Sequence, residues 1–212
     1  MPDKTRAHTI YKTSDGKRVP GVTTILGVLN KPALVGWANR LGLNGIDSTK
    51  YVDDKADIGT CAHYLIECDV RGVEPDLSDY SPNTVALAEN GLLKWLDWKP
   101  SDFELVASEL PLTSDTYRYG GTADIVARTG GKTLLVDIKT SGSGVYAEHK
   151  HQAVAYVRLL QEHGYEIDEA WILRVGRDDT EGFDAVRVDN WGDHWRVFEL
   201  CRELYEVRKR AK

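Results

Sequence analysis

Two apolar runs each carry a carboxylate where the interior of a sheet rarely tolerates one. Gly120-Gly121-Thr122-Ala123-Asp124-Ile125-Val126-Ala127 holds Asp124. Thr133-Leu134-Leu135-Val136-Asp137-Ile138-Lys139-Thr140 holds Asp137 and Lys139. Both runs read as strands, because β-branched and apolar residues fill them and turn residues bound them. Gly130-Gly131 between them is a hairpin signal. A loop centred there sets Asp124 directly across from Asp137, and Lys139, two residues on, shares the face of Asp137. Directly opposed residues have Cβ atoms about 4.5–5.5 Å apart, and like charges there repel. One carboxyl takes up a proton, or a cation sits between the two, for which an oxygen-lined bay suits Mg2+ or Mn2+. The plain alternative is a pair of edge-strand carboxylates with Lys139 as ion-pair partner; the apolar content of both strands argues against it. Repulsion across such a pair also predicts that Asp137→Asn raises, or at least does not lower, the melting temperature of the metal-free protein.

Other residues of useful chemistry lie around these strands. His63 is expected on a helix over 54–71, opposite an apolar stripe of Ile58, Cys61, Ala62, Leu65 and Cys68. Glu67 is its i+4 neighbour. Alone, such a histidine reads as a surface residue. Gly59-Thr60 just before it changes the weighting, since a helical Gly costs about 1 kcal/mol relative to Ala and so suggests close approach by another backbone or a ligand. Glu109, in Ala107-Ser108-Glu109-Leu110, is either a third functional carboxylate or a solvated strand residue. Gln152 and Tyr156 share a helix face, with His149 one turn before, and offer amide and hydroxyl groups suited to a base edge or a phosphate; ordinary helix surface is the alternative.

The elements that must hold these residues can be read from pattern. A short hairpin is expected over 9–20, around Ser14-Asp15-Gly16-Lys17. A short helix capped by Thr23 or Thr24 should end near Asn30, and another should run over 32–43 with Pro32 in its first turn. The 54–71 helix stops at Gly72, and a further helix covers 82–97. Strands follow over 103–112, 119–128 and 133–140, then a helix over 145–163, strands over 169–175 and 183–188, and a last helix from about 192 to 210. This order predicts an α/β fold: a single central mixed β-sheet flanked by helices, with a mainly helical N-terminal part (1–98) and a sheet core (103–212) in one domain.

Composition agrees. The chain of 212 residues is 42% hydrophobic and 28% charged, which is globular rather than disordered. No apolar run approaches the roughly 18 residues that cross a membrane, and the N-terminus lacks the apolar segment of a secretory signal, so the expected compartment is the cytoplasm. Cys61, Cys68 and Cys201 have neither a disulfide nor a zinc-site spacing and read as buried apolar residues. A net charge of −6 does not advertise nucleic-acid binding; a local groove can still be basic.

Taken together the motifs resemble the PD-(D/E)xK nuclease superfamily, in its RecB-like branch. The matching segments are Gly59-Thr60-Cys61-Ala62-His63 (G-T-x-x-H), Gly121-Thr122-Ala123-Asp124 (G-x-x-D), Asp137-Ile138-Lys139 (D-x-K) and Gln152-Ala153-Val154-Ala155-Tyr156 (Q-x-x-x-Y). Val19-Pro20-Gly21-Val22-Thr23-Thr24-Ile25 is similar to the opening of phage exonucleases and of the mitochondrial genome maintenance exonuclease. The resemblance spans about residues 19–175; Ala123 stands where the family has Pro before its first Asp.

The resemblance implies a restriction-endonuclease-like core and a divalent-metal-dependent deoxyribonuclease acting from DNA ends, single- or double-stranded, in phage recombination, replication or repair. It implies His63, Asp124, Asp137 and the carbonyl of Ile138 as ligands of Mg2+ or Mn2+, with Lys139 acting on the attacking water and Glu109 on a second cation or water. Gln152, Tyr156, Thr60, Thr140 and Arg40 are expected on the strand, with Arg18, Lys31, Arg118 and Lys150 as further positive groups. An annealing or recombination protein and a second copy of the chain are candidate partners, and no membrane is. A structure-specific endonuclease and a catalytically inactive DNA-binding module remain as alternatives.

Overall fold

A computed structural model of the chain describes residues 9–29, 31–178 and 180–211. The first hairpin forms as β1 (Tyr11–Lys12) and β2 (Arg18–Val19). α1 (Val22–Leu26) starts after Gly21 with no side-chain cap, so neither Thr23 nor Thr24 caps it, and it ends at Leu26; Asn30 lies outside the described residues. α2 (Pro32–Leu43) begins at its proline as expected. α3 (Ser48–Arg71) begins earlier than the apolar stripe indicates, because the Asp47 carboxylate accepts from the amides of Thr49 and Lys50 and caps it there. It stops at Gly72, whose φ of 63° is the left-handed conformation that ends helices. α4 (Pro82–Trp98) is capped by Ser81.

The remaining elements are β3 (Glu104–Ser114), β4 (Tyr119–Thr129), β5 (Lys132–Thr140), α5 (Ala147–Glu162), β6 (Glu169–Val175), β7 (Phe183–Arg187) and α6 (Trp191–Arg210). The five strands form one mixed sheet in the order β3-β4-β5-β6-β7. β3, β4 and β5 run as an antiparallel meander, α5 crosses over so that β6 pairs parallel to β5, and β7 returns antiparallel. One face of the sheet buries Val126, Leu135 and Ile172 against α1, α5 and α6, where Phe198 and Leu159 are fully enclosed. The other buries Ile125, Val136 and Leu173 against Ile66 of α3 and Trp95 of α4. The fold is therefore the α/β arrangement expected from the element order. All three cysteines are buried free thiols, and no helix among the described residues is long and apolar enough to cross a membrane.

Candidate metal centre

The sheet splits where the carboxylates lie. β4 and β5 pair from Thr129/Lys132 up to Ile125/Val136, the register that the Gly130-Gly131 loop predicts. Beyond that point β5 stays paired only with β6, through Thr140/Val175, while β4 stays paired only with β3. Asp124 and Asp137 are the first residues past the split. In place of a backbone partner, the Ile138 amide donates to Asp124 Oδ2 at 2.8 Å, so this carboxylate fastens the two strands where the ladder ends.

Asp137 is fully buried, and one of its oxygens lies 2.6 Å from Lys139 Nζ. That ion pair changes the sign of the stability expectation for Asp137→Asn. The ammonium offsets the repulsion between the carboxylates, and replacing one partner of a buried pair leaves the other charge poorly compensated.

His63 reaches the split from the other side, with Nδ1 3.8 Å from Asp124 Oδ2. The helix-wheel reading set it on an outer face. In the fold α3 is enclosed twice: Cys61, Ala62 and Leu65 face Ala88 of α4, and Ile66 faces the sheet. The polar side of the helix therefore points inward, toward the carboxylates. Glu67, one turn on, is buried and pairs with Arg71 at 2.7 Å, and Arg71 also donates to Ser108 Oγ at 2.8 Å, which ties α3 to β3.

Glu109 arrives by a shift of register. Leu105 pairs with Ala127 but Ala107 pairs with Val126, so Val106 is an extra residue in β3. Without it Ser108 would stand opposite Asp124; with it Glu109 does. Glu109 has φ 47°, a left-handed conformation that costs a non-glycine residue about 1–3 kcal/mol and concentrates at functional sites. His63, Glu109 and Asp124 each bring a ligand atom within 4.8 Å of the others. One imidazole nitrogen with carboxylate oxygens is a donor set that fits Mn2+ or Mg2+. Of the expected ligands, Asp137 lies beside this group rather than in it, with one oxygen 2.6 Å from Lys139 Nζ; the Ile138 amide contact to Asp124 holds that residue, whose carbonyl is the other expected ligand, next to the group.

Glycines make the approach of the layers possible. A Cβ on Gly59 would stand 2.6 Å from Thr140 Oγ1, so the glycine in α3 admits a side chain at the end of β5 rather than the backbone or ligand expected there. A Cβ on Gly121 would meet Tyr156 Cε1 at 2.5 Å and Cδ1 at 2.9 Å. Tyr156 is buried, and its hydroxyl accepts from Gln152 Nε2 at 2.7 Å. Burial, then the nearby charge of Asp137, pushes the Tyr156 phenol well above its usual range. Tyr156 is thus a neutral wall behind the carboxylates. His149, on the same helix, is lowered to about 4 by burial and then by the charge of Lys139.

A cleft of about 350 Å³ opens beside His63, lined by Val52, Lys55, Ala56, Gly59, Thr60, Thr140 and Arg177. Thr60 and Thr140 are there as expected. Arg40 stands exposed on α2 and is not among the lining residues. Arg118 is engaged by Asp15 and Lys31 by Glu148; Arg18 is exposed on β2, and Lys150 is half-buried on α5. Lys55 and Arg177 went unnoticed in the sequence. The 3–4 spacing of Val52, Ala56, Gly59 and His63 could have revealed Lys55's neighbourhood, given the true start of α3. No local signal marks Arg177.

No protein-family profile matches the chain, and no curated protein does. Among solved structures, one described as the crystal structure of SSO0001 is similar at a TM-score of 0.35 and 16% identity, over 71% of this chain and 74% of that one. A likeness at that level carries no argument about function.

Proposed function

We propose that the chain is a divalent-metal-dependent deoxyribonuclease that hydrolyses phosphodiester bonds from DNA ends. The observation that carries this reading is the meeting of His63, Glu109 and Asp124 at the mouth of the split sheet, next to the Asp137–Lys139 pair. The motif resemblance to RecB-like nucleases, which shares His63, Asp124, Asp137 and Lys139 with this group, supports the same reading. His63, Glu109 and Asp124 would hold the cation, with Asp137 at its edge. A bound divalent cation supplies Lewis-acid polarisation of the phosphate and a more acidic water. Asp137 holds Lys139 at the site, where its ammonium orients the attacking water and offsets charge gathering on the phosphate. Asp124 keeps Ile138 and the β5 end in place through its amide contact. Tyr156 closes the site from behind and excludes water from that side. The proposed compartment is the cytoplasm, where DNA is met and buried thiols stay reduced.

The test uses end-labelled linear DNA beside covalently closed circles, with Mg2+, Mn2+ or excess EDTA. Loss of linear DNA with a divalent cation, and survival of the circles, is the expected result. Nicked circles as early products would mean an endonuclease. Undiminished cleavage in EDTA would rule out the metal mechanism, and binding without cleavage in either metal would leave a DNA-binding module.

A further inference from the structure

We propose that the cleft beside His63 is a subsite for a second phosphate of the same DNA strand, held by Lys55 and Arg177. The proposal rests on the nuclease reading above and adds the residues that register the strand. Lys55 lies two turns before His63 on α3, about 12 Å along the helix axis, so it meets the strand beyond the phosphate being cleaved. The volume of about 350 Å³ is at the small end for ligand sites and admits roughly one nucleotide.

The cations are prearranged. Arg177 donates from Nε and Nη2 to Glu181, at 2.9 and 2.6 Å, and its amide donates to the same carboxylate. Its Nη1 makes no hydrogen bond among the described residues. Buried Arg174 donates to the carbonyls of Ser141 and Glu181, which binds the two loops forming this wall to each other. Gly142 completes the fit, since a Cβ there would stand 2.5 Å from Glu181 Oε1 and 2.8 Å from Arg177 Nη2. Lys55 Nζ sits 5.6 Å over the Tyr51 ring. Thr140 also lines the cleft and offers it a hydroxyl, whereas the Thr60 hydroxyl donates to the Ala56 carbonyl at 3.0 Å.

Among the described residues, the opposing charge at this wall comes from Glu181, which balances part of Arg177, and from Asp178, which is turned to the amides of Thr180 and Glu181 in its own loop and is also within reach of the Lys55 charge. The larger hollow on the other side of Lys55, about 440 Å³, is lined by Asp54 and Asp57 and repels a phosphate, which leaves the His63 side as the path.

The experiment measures binding of a fluorescent single-stranded oligonucleotide in EDTA, where no turnover occurs, across a salt series. Each single-strand phosphate contact contributes about 0.7 to the slope of log K against log salt. Lys55→Gln is expected to weaken binding several-fold and to lower that slope by about 0.7, and Arg177→Gln to do likewise. Lys209→Gln, exposed on α6 outside the cleft, should leave the slope unchanged. Walking one neutral methylphosphonate linkage along the oligonucleotide should reveal a position that weakens the parent but not Lys55→Gln. If the parent binds DNA and cleaves it with metal while Lys55→Gln and Arg177→Gln keep its affinity and slope, the subsite is wrong and the nuclease reading stands. A parent that neither binds nor cleaves DNA overturns both.

Discussion

Gly121→Ala probes the contact that sets Tyr156 behind the carboxylates. The new methyl would stand 2.5 Å from Cε1 and 2.9 Å from Cδ1 of Tyr156, and 3.1 Å from Val22 Cγ2. The ring cannot swing aside cheaply: it is buried in α5's packed face, and its hydroxyl is tethered to Gln152. Overpacking of this kind costs about 1–3 kcal/mol. Replacing a strand Gly by Ala returns about 0.5–1 kcal/mol. The net expectation is a loss of about 1–2 kcal/mol, or about 2–8 °C in melting temperature for a chain of this size. Tyr156→Val removes both ring atoms, and in that background the methyl has room, so Gly121→Ala becomes neutral or mildly stabilising. Urea midpoints of the four proteins, at unchanged m-value, should give a coupling energy of at least about 1 kcal/mol. Additivity within about 0.3–0.5 kcal/mol, as for independent sites, would refute the claim that the glycine exists to seat this ring.

Three further outcomes are expected. Glu109→Gly should be more stable than Glu109→Ala by about 1 kcal/mol, because only glycine accepts φ 47° without strain; both should lose most of the thermal shift that Mn2+ induces in the parent, and equal melting temperatures would refute the strain. In EDTA, Asp137→Asn should melt lower than the parent: breaking a buried ion pair costs about 3–5 kcal/mol, and the partial exposure of Lys139 places the loss at or below the low end; a raised melting temperature would restore the picture of uncompensated repulsion. His149 has a folded pKa of about 4, below its unfolded value of about 6.5. Between those values the unfolded chain binds the extra proton, so this contribution is intact above about pH 6.5 and is lost as pH falls toward 4. Urea midpoints in EDTA should therefore fall less from neutral pH to about pH 5 in His149→Gln than in the parent, and identical slopes would exclude His149.

Much was written in local pattern. The alternation of 119–140 and the Gly130-Gly131 turn determined the β4–β5 register, because side-chain period and turn chemistry act between near neighbours in the chain. Pro32 and Gly72 marked helix ends through local backbone preferences that any short peptide would share. Other features needed the folded molecule. Asp47 starts α3 before the apolar stripe does, since that stripe records only the buried half of the helix. His63 faces inward because α4 and the sheet claim two other sides of α3, a choice no single helix can encode. Glu109 stands opposite Asp124 only through the extra residue at Val106, and a bulge leaves both register alternatives equally patterned in sequence. Lys55 and Arg177 are more than a hundred residues apart and meet only after β5 and β6 pair and bring the loop beyond β6 against α3. Elements follow from interactions along the chain; the site follows from which faces exclude water together, and that is settled by the packing of all the layers at once.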